Sequence, residues 1–482
     1  MSTDHSLQTD VAIIGAGTAG MSAYRAALAH TPKVLVIEGG VYGTTCARVG
    51  CMPSKLLIAA ADAAHTIADA GRFGVHGGPL RVDGPAVMAR VRNERDRFVG
   101  FVLDAVTQWP AGHRLQGQAS FLDEHTLQVG PVRVQADRIV IATGSSPAVP
   151  PAWRQRLGAQ LIVNDDVFDW QDLPRSVAVV GTGVIGLELA QALHRLGVRV
   201  RLYGRSQRIG PLTDPALQAL ARQIFADALP LTLNACHLDV RRDGDSVVVA
   251  AGTDAATATE ERFDLLLVAT GRRPNVDALG LAHTGLPLDP SGIPVHDRRT
   301  GQIGNSTVFT AGDVADERPL LHEAADEGRI AGDNAGRFPD VRVQPRRAPL
   351  AVVFTEPQMA LAGASHAELL RSGQAFKTGS VSFEDQGRSR VIGRNQGALQ
   401  VYGDPASGRL LGAEMLGPAA EHIGHLLAWS VQRGDTVQQM LDSPFYHPVI
   451  EEGLRTALRD LNKAMRMGPS PVAHCLDCGP GA

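Results

Sequence analysis

The stretch Val11-Ala-Ile-Ile-Gly15-Ala-Gly17-Thr-Ala-Gly20 decides the fold of this chain. A short apolar run leads into glycines spaced as G-x-G-x-x-G, and a helical pattern follows through Ala29. A second apolar run at residues 34–37 ends in Glu38, which lies 18 residues beyond Gly20. Such glycines let the backbone approach a pyrophosphate at a helix N-terminus, and the acid is spaced to bind a ribose hydroxyl. The stretch therefore predicts a dinucleotide-binding unit of strand, helix and strand.

The same pattern occurs a second time. Ser176-Val-Ala-Val-Val-Gly181-Thr-Gly183-Val-Ile-Gly186 opens another helical pattern, and residues 198–202 form the next predicted strand. Here Gly204 stands where the acid would be, and Arg205 and Arg208 follow. Arginines can receive the 2′-phosphate that distinguishes NADP from NAD, so charge favours NADP. The alternative is that both arginines point to solvent and NAD is used. Two such units predict two dinucleotides and electron transfer between them.

A pair of cysteines follows the first unit in Cys46-Ala-Arg-Val-Gly-Cys51-Met-Pro-Ser-Lys55. A disulfide needs Cα atoms within about 4.4–6.8 Å, whereas five residues of a regular helix rise about 7.5 Å. The pair can therefore close only if the turn is deformed, which Gly50 permits, and Pro53 suits the first turn of a following helix. A strained, accessible disulfide is more readily reduced than a structural one. The pattern predicts a redox-active pair beside the first dinucleotide.

With these motifs the chain resembles the flavin-dependent disulfide reductases of the pyridine nucleotide–disulfide oxidoreductase family. That family includes dihydrolipoyl dehydrogenase, glutathione reductase and mercuric reductase, and the resemblance covers residues 8–465. Its further marks are Ile141-Ala-Thr143-Gly144, Val268-Ala-Thr270-Gly271, Thr307-Val-Phe-Thr-Ala-Gly312-Asp313, Val353-Phe-Thr355-Glu-Pro357 and His447-Pro448-Val-Ile-Glu-Glu452. One departure is Gly43-Thr-Thr45, which replaces the usual Gly-Gly-Thr before the first cysteine, and we expect it to leave the chemistry intact.

The resemblance implies a role for each catalytic residue. Cys51 lies on the flavin side and supplies a thiolate, while Cys46 exchanges with the substrate disulfide. His447 holds and returns the proton, and Glu452 hydrogen-bonds its imidazole. In the family this histidine belongs to the partner subunit, so a homodimer is implied. The alternative for His447 is a helix-capping or core histidine.

The resemblance also implies FAD and either NAD or NADP as cofactors. Lys55 would pair with Glu188 beside the flavin N5 and stabilise the reduced flavin, unless it is a solvated helix lysine. Ile185 matches a side chain that covers the flavin until the nicotinamide arrives, unless it only packs in the core. The cofactor-binding residues implied are Gly15, Gly17, Gly20, Glu38, Lys55, Thr143, Gly144, Gly181, Gly183, Gly186, Glu188, Arg205, Gly271, Gly312 and Asp313.

At 482 residues and 44% hydrophobic content, the chain is too long for one globular core. We predict an α/β fold with two Rossmann-like dinucleotide-binding domains and a C-terminal α+β dimerisation domain. The predicted segments are 1–148 (FAD domain, first part), 149–271 (NAD(P) domain), 272–345 (FAD or central domain, second part), 346–465 (dimerisation domain) and 466–482 (mobile tail). Within them we expect helices near 53–110, a strand meander near 111–141 and a crossover loop at 145–151.

Charge and composition exclude several classes of function. A net charge of −4 gives no electrostatic reason to bind nucleic acid or an anionic membrane. No apolar run reaches the length of a transmembrane helix, and residues 1–10 lack the features of a signal peptide. Five cysteines at these spacings do not form a structural disulfide framework. We therefore expect a cytoplasmic enzyme with a working dithiol.

Three cysteines lie outside the redox pair. Cys236 is predicted to be a small buried hydrophobe. The tail carries His474-Cys475-Leu-Asp-Cys478, which could accept electrons from the inner pair as in some family members, bind adventitious metal, or have no chemical role. No other metal site is predicted.

The predicted function is a homodimeric FAD-dependent disulfide reductase, most similar to the dihydrolipoyl dehydrogenases, in which a serine such as Ser54 follows the proline. The alternative is an NADPH-dependent reductase of another disulfide or of a soft metal ion, similar to glutathione or mercuric reductases. Two other classes are a binding-only subunit of a 2-oxo acid dehydrogenase complex and a soluble transhydrogenase. The intact Cys46, Cys51 and His447 argue against the binding-only subunit, and the presence of both cysteines argues against the transhydrogenase.

Overall fold

The computed structural model describes residues 5–467 of the chain. The tail motif with His474, Cys475 and Cys478 lies outside the described residues, so its three alternatives stay open.

The first part of the chain contains β1 His5–Ile14, α1 Thr18–Ala27, β2 Val34–Glu38, α2 Thr45–Val49, α3 Cys51–Asp69, α4 Gly84–Thr107, β3 Arg114–Gln116, β4 Ala119–Phe121, β5 Thr126–Val129 and β6 Val132–Ile141. β1 and β2 pair in parallel, with Ile14 opposite Ile37. Their sequences are continuously apolar because both faces of this part of the sheet are buried. The strand order is β3-β2-β1-β6-β5-β4. The helices predicted near 53–110 and the strands predicted near 111–141 are confirmed.

The second part contains β7 Ser145–Pro147, α5 Pro151–Leu157, β8 Leu161–Ile162, α6 Asn164–Val167, β9 Ser176–Val180, α7 Val184–Arg195, β10 Arg199–Tyr203, α8 Pro215–Ala228, β11 Leu231–Thr232, β12 His237–Asp243, β13 Ser246–Gly252, β14 Thr259–Phe263, β15 Leu265–Val268 and β16 Arg272–Pro274. A second parallel sheet has the order β11-β10-β9-β15-β8. The antiparallel sheet β12-β13-β14 is formed by the segment between β11 and β15.

The crossover predicted as a loop at residues 145–151 is in part a strand. β7 pairs antiparallel with β16, so Ser146 lies opposite Arg273. The two chain crossings between the nucleotide units therefore run side by side as a ribbon. Serine and proline suggested a loop, but backbone pairing needs only an extended partner, and that partner comes more than a hundred residues later.

The third part contains β17 Val308–Thr310, α9 Leu321–Arg337, β18 Leu350–Val353, β19 Gln358–Gly363, α10 His366–Ser372, β20 Lys377–Ser382, α11 Gly387–Val391, β21 Ala398–Gly403, β22 Leu410–Gly417, α12 Ala420–Arg433, α13 Val437–Leu441 and α14 Glu451–Met465. β17 returns to the first sheet and pairs with β6. The antiparallel sheet β18-β19-β22-β21-β20, together with α10 to α14, forms what we call the C-terminal domain.

The predicted fold class is confirmed, with two Rossmann-like units and a C-terminal α+β domain. One hydrophobic cluster joins all three regions around the cysteine segment, because it includes Leu57 of α3, Leu187 of α7 and Val353 of β18, each 0% exposed. Among the helices described here, none combines the length and apolar character needed to cross a membrane.

Candidate active site

The first glycine turn has the shape of a pyrophosphate cradle. Gly15 has φ +109, and an added Cβ would lie 2.3 Å from the Ala142 carbonyl oxygen. A Cβ on Gly20 would lie 1.8 Å from the Gly15 oxygen, so only glycine lets the helix approach the strand this closely. A Cβ on Gly17 would meet nothing within 4 Å, so the backbone there faces open space. These three positions fit the three glycine roles of a dinucleotide site, as FAD requires.

The second glycine turn repeats this geometry. Gly181 has φ +119, and an added Cβ would lie 2.2 Å from the Ala269 oxygen. A Cβ on Gly186 would lie 1.8 Å from the Gly181 oxygen, and one on Gly183 would meet nothing within 4 Å. The chain therefore has two matching cradles, and the second fits a nicotinamide dinucleotide as well as the first fits FAD.

The two units differ at the end of the second strand. Glu38 accepts backbone N–H bonds from Ala16 and Gly40, both at 2.7 Å, which hold its carboxylate beside the first turn. The Gly15 N–H donates to the Ile37 oxygen, and the Gly181 N–H donates to the Tyr203 oxygen. Since Ile37 and Tyr203 hold equivalent places, the next residue, Glu38 in one unit, is Gly204 in the other.

The packing around Gly204 leaves little space for an acidic side chain. It is buried, and a Cβ on it would lie 2.8 Å from Thr182 Cγ2 and 2.9 Å from Leu233 Cδ2. Arg205 and Arg208, which follow it, are exposed. The second unit therefore presents arginines and no carboxylate where a ribose would lie.

The other predicted cofactor-binding residues lie just after strands of the two parallel sheets. Asp313 follows β17 and accepts a hydrogen bond from Ser145 Oγ at 2.7 Å. Gly312 has φ +82, and Thr143 Oγ1 donates to the Asn275 oxygen at 2.8 Å. Gly144 and Gly271 also have positive φ, and an added Cβ on either would meet nothing within 4 Å.

The cysteine pair lies at a helix break, as predicted. α2 ends at Val49 and α3 begins at Cys51, while Gly50 between them has φ −124 and ψ −117. Thr44 takes the place of the family's usual glycine and has φ +58, a left-handed conformation that glycine adopts more easily. This departure therefore costs backbone strain at the entrance to the cysteine helix.

Cys46 and Cys51 are free thiols in the structure and hydrogen-bond each other. The hydrogen bond from Cys46, together with the positive charge of Lys55, lowers the pKa of Cys51 to about 6. The same hydrogen bond and burial raise the pKa of Cys46. Cys51 also opens α3, where the helix dipole favours an anion. In the reduced pair the thiolate therefore belongs on Cys51.

Lys55 is paired with a buried acid. Its ammonium lies 2.7 Å from Glu188 Oε2, and the Glu188 side chain is only 4% exposed. The other oxygen of Glu188 accepts the Phe354 N–H at 2.8 Å, and the Lys55 ammonium lies 4.7 Å from the centre of the Phe354 ring. The structure thus contains the ion pair that the resemblance implied, although it does not test the flavin role.

His447 and Glu452 form a second pair. His447 Nδ1 lies 3.1 Å from both carboxylate oxygens, and Glu452, 4% exposed, also accepts from Arg455 at 3.1 Å. This hydrogen bond places the proton on Nδ1 and leaves Nε2 free. The His447 side chain is 71% exposed, so it is not a core histidine. Within residues 5–467, no hydrogen bond joins His447 to Cys46 or Cys51 of the same chain.

Sequence reasoning missed how the C-terminal domain docks onto α7. Gln191 exchanges two hydrogen bonds with the backbone of Glu356, at 2.7 and 2.8 Å. Arg195, 10% exposed, binds the Glu356 carboxylate at 3.1 Å and Asp62 of α3 at 2.7 Å. With Glu188 these residues lie at i, i+3 and i+7 on one face of α7, and that spacing is the signal that could have found them.

Two further predictions concern Cys236 and Ile185, and the structure contradicts only the first. Cys236 is exposed, not buried, and its thiol lies 3.7 Å from the Arg205 oxygen, to which it donates. The segment after β11 turns only Ala235 inward, which sends the neighbouring cysteine to the surface. Ile185 is half-buried and packs against the core, so its two alternatives both stay open.

Residues 9–328 match the family described as pyridine nucleotide-disulphide oxidoreductase, and residues 350–458 match its dimerisation domain. A mercuric reductase from Shigella flexneri is 32% identical, with 95% of this chain and 81% of the relative covered. A dihydrolipoyl dehydrogenase from Haloferax volcanii is 28% identical, with 93% and 95% covered. The solved structure of LpdA from Mycobacterium tuberculosis has a TM-score of 0.79 at 25% identity, with 94% of this chain and 99% of that chain covered. The HOCl-induced flavoprotein disulfide reductase RclA from Escherichia coli, at 23% identity and a TM-score of 0.76, shares the fold, with 93% and 99% covered.

Proposed function

The chain belongs to the pyridine nucleotide–disulphide oxidoreductase family, whose members use FAD and NAD(P)H, and we propose that it transfers electrons between a nicotinamide nucleotide and a disulfide through Cys46 and Cys51. FAD, when bound, accepts a hydride from the nicotinamide and delivers the electrons to sulfur. Gly17 and Gly183 would take the two pyrophosphates, and Glu38 would bind the FAD ribose.

The observation that carries this proposal is that the chain holds both groups that disulfide exchange needs. Cys51 forms a thiolate beside Cys46, and Glu452 orients the imidazole of His447. Cys46 has a raised pKa, so a base must remove its proton before it attacks. The free Nε2 of His447 suits that task and can later protonate the departing substrate thiolate.

The disulfide exchange proceeds in two steps. The Cys46 thiolate attacks one substrate sulfur, the substrate S–S bond breaks, and the first thiolate leaves with the proton from His447. The Cys51 thiolate next attacks Cys46, which releases the second substrate sulfur as a thiolate, to be protonated by water, and closes the Cys46–Cys51 disulfide. The substrate gains two electrons and the cysteine pair loses two.

A homodimer completes the site in this proposal. His447 is largely exposed and its neighbour Tyr446 is 80% exposed, so both side chains are open to a second subunit. We assign the proton transfer at Cys46 to His447 of the partner subunit, in agreement with the dimerisation-domain match.

The first candidate substrate is lipoamide, because a serine follows the proline after the cysteine pair and one dihydrolipoyl dehydrogenase matches this chain over nearly the full length of both proteins. The second candidate function is an NADPH-dependent reduction of another disulfide or of Hg(II). Gly204 and its arginines favour this second candidate, since they lack the ribose-binding acid of an NAD site.

Steady-state reduction of lipoamide, oxidised glutathione and Hg(II), each with NADH and NADPH, tests both candidates. Turnover of lipoamide with NADH supports the first, and turnover of glutathione disulfide or Hg(II) with NADPH supports the second. A Cys46→Ser, Cys51→Ser protein is the control, because disulfide turnover that survives in it contradicts the role of the pair.

A further inference from the structure

A group of charged side chains adjoins the segment Gly312-Asp313, which the resemblance assigns to the flavin. It contains three carboxylates, none more than 13% exposed, and two cations. Burial of a carboxylate is costly unless a cation or a hydrogen-bond donor replaces the lost water. We call this group the charged cluster, and its members are Glu317, Glu323, Glu327, His296 and Arg346.

One member of the charged cluster, Glu327 of α9, binds the flavin segment directly. Its Oε2 accepts the Gly312 N–H at 2.8 Å. Gly312 cannot carry a side chain here, because its φ is +82 and an added Cβ would lie 2.8 Å from Ala19 Cβ of α1. The next residue, Asp313, accepts a hydrogen bond from Ser145 Oγ at 2.7 Å. Glu327 and Ser145 therefore hold two consecutive residues of this segment in place.

Arg346 supplies the positive charge that Glu327 needs. Its guanidinium, 21% exposed, binds Glu323 and Glu327, both at 2.7 Å. Burial raises the pKa of Glu327 even with this arginine beside it. Glu323 has a second cation, Arg318 at 3.8 Å, whereas no other Lys, Arg or His nitrogen within residues 5–467 lies within 4.0 Å of the Glu327 carboxylate. The charge on Glu327, and with it the strength of its bond to Gly312, therefore depends on Arg346.

His296 faces an acceptor with each of its ring nitrogens. Its side chain is 11% exposed, Nε2 lies 3.1 Å from Glu317 Oε1, and Nδ1 lies 3.3 Å from the Pro294 oxygen. A neutral imidazole has a single N–H and could donate to only one of these acceptors. Burial alone lowers the pKa of His296, but the hydrogen bonds to Glu317 and Pro294, together with the nearby negative charges, outweigh burial and raise it. The geometry therefore fits an imidazolium, with both nitrogens donating.

The proton on His296 decides how Arg346 is shared among the carboxylates. Glu317 binds His296 at 3.1 Å and Arg298 at 2.7 Å. Its second oxygen lies 4.0 Å from Arg346, and Glu327 also acts on the imidazole through its charge. Arg298 is 74% exposed, so water screens its charge. Without the proton on the imidazole, Glu317 would compete with Glu327 for Arg346.

We propose that Glu327 and Arg346 are positioning residues for FAD, and that the proton on His296 keeps Arg346 on Glu327. They act through the backbone of Gly312 and Asp313. The proposal rests on FAD binding at the first glycine turn, as in the proposed function, and not on any step at the cysteines. Since the pKa of His296 is raised, its contribution is complete below the ordinary value of 6.5 and is lost as the pH rises through the raised value. FAD should therefore be held more tightly at about pH 6 than at about pH 9.

The rate of FAD release from the FAD-loaded protein tests the proposal, followed by the rise in flavin fluorescence after dilution. Glu327→Gln and Arg346→Gln should each release FAD about tenfold faster, the scale of one lost charge-assisted hydrogen bond. Arg346→Lys, which keeps the charge, should lie closer to the unmodified protein. The matched control is Arg342→Gln, an arginine of the same segment whose partner Asp340 is exposed, and it should change nothing. Thermal melting of each variant checks that it is folded.

The pH dependence separates this role from a general loss of stability. In the unmodified protein the release rate should rise between about pH 6 and pH 9, as His296 loses its proton. His296→Gln cannot titrate in this range, so the rise should be lost. His283→Gln, at an exposed histidine whose Nδ1 lies 3.0 Å from the Phe121 oxygen, is the control and should keep the rise.

The positioning role is wrong if Glu327→Gln and Arg346→Gln release FAD as slowly as Arg342→Gln does. The role of His296 is wrong if His296→Gln keeps the pH-dependent rise. Should Arg346→Gln fail to fold, the rate in Glu327→Gln and the two pH profiles decide. Because FAD release needs no turnover, these measurements can fail while disulfide reduction stands, and the reverse also holds.

Discussion

Lys55 and Glu188 should move the pKa of Cys51 in opposite directions. Lys55 lies one helical turn beyond Cys51, and side chains at this spacing lie about 6 Å apart. At an effective dielectric of about 20, a unit charge at that distance is worth about 2.8 kcal/mol. Because Lys55 is 33% exposed, solvent screening reduces this to roughly half, which corresponds to about one pH unit.

Lys55→Gln should therefore raise the pKa of Cys51 from about 6 toward about 7. Glu188→Gln should lower it, because the Glu188 charge opposes the thiolate. Since the pKa of Cys51 is depressed, its thiolate is present above that pKa and is lost as the pH falls through it. Both variants should shift this midpoint without abolishing it.

The assay is the rate of iodoacetamide alkylation of the reduced protein against pH, with peptide mass spectrometry to identify the modified cysteine. Lys33→Gln, at an exposed lysine outside the site, is the control. A midpoint that is unchanged or falls in Lys55→Gln would refute the electrostatic reasoning. Alkylation of Cys46 before Cys51 would refute the thiolate assignment itself.

Three further predictions concern other side chains. His447→Ala should slow disulfide turnover by about two to four orders of magnitude, whereas the rate of flavin reduction by the nicotinamide, measured by stopped flow, should stay nearly unchanged. An equal fall in both rates would show that His447 has a structural role. Arg205→Ala should weaken NADPH binding by about 1.5–3 kcal/mol in calorimetry and leave NADH alone, and a native tenfold preference for NADH would contradict this. Arg195→Gln should lower the free energy of unfolding in urea by about 1–3 kcal/mol, because it removes the guanidinium that bridges Glu356 and Asp62, although Arg394 still binds Glu356. Arg175→Gln, at a 91% exposed side chain, should change it by less than about 1 kcal/mol.

Local features of the chain were predictable from the sequence. Glycine spacing determines a turn because Gly15 and Gly181 need positive φ, and no other part of the fold is required to state that need. Gly50 likewise marked the helix break between the cysteines. The backbone strain at Thr44 could not be predicted from the sequence, because its positive φ shows only in the structure.

The sequence by itself determined two dinucleotide units, their order, the missing acid at Gly204 and the cysteine pair, since each depends on a short run of neighbouring residues. Only the tertiary structure decided that Glu356 docks on α7, that β7 pairs with β16 and that Cys236 is exposed. These contacts join residues far apart in the chain, and periodicity carries no information on which distant surfaces meet. They depend on how preformed units pack, where small differences in buried area and hydrogen bonding select one arrangement.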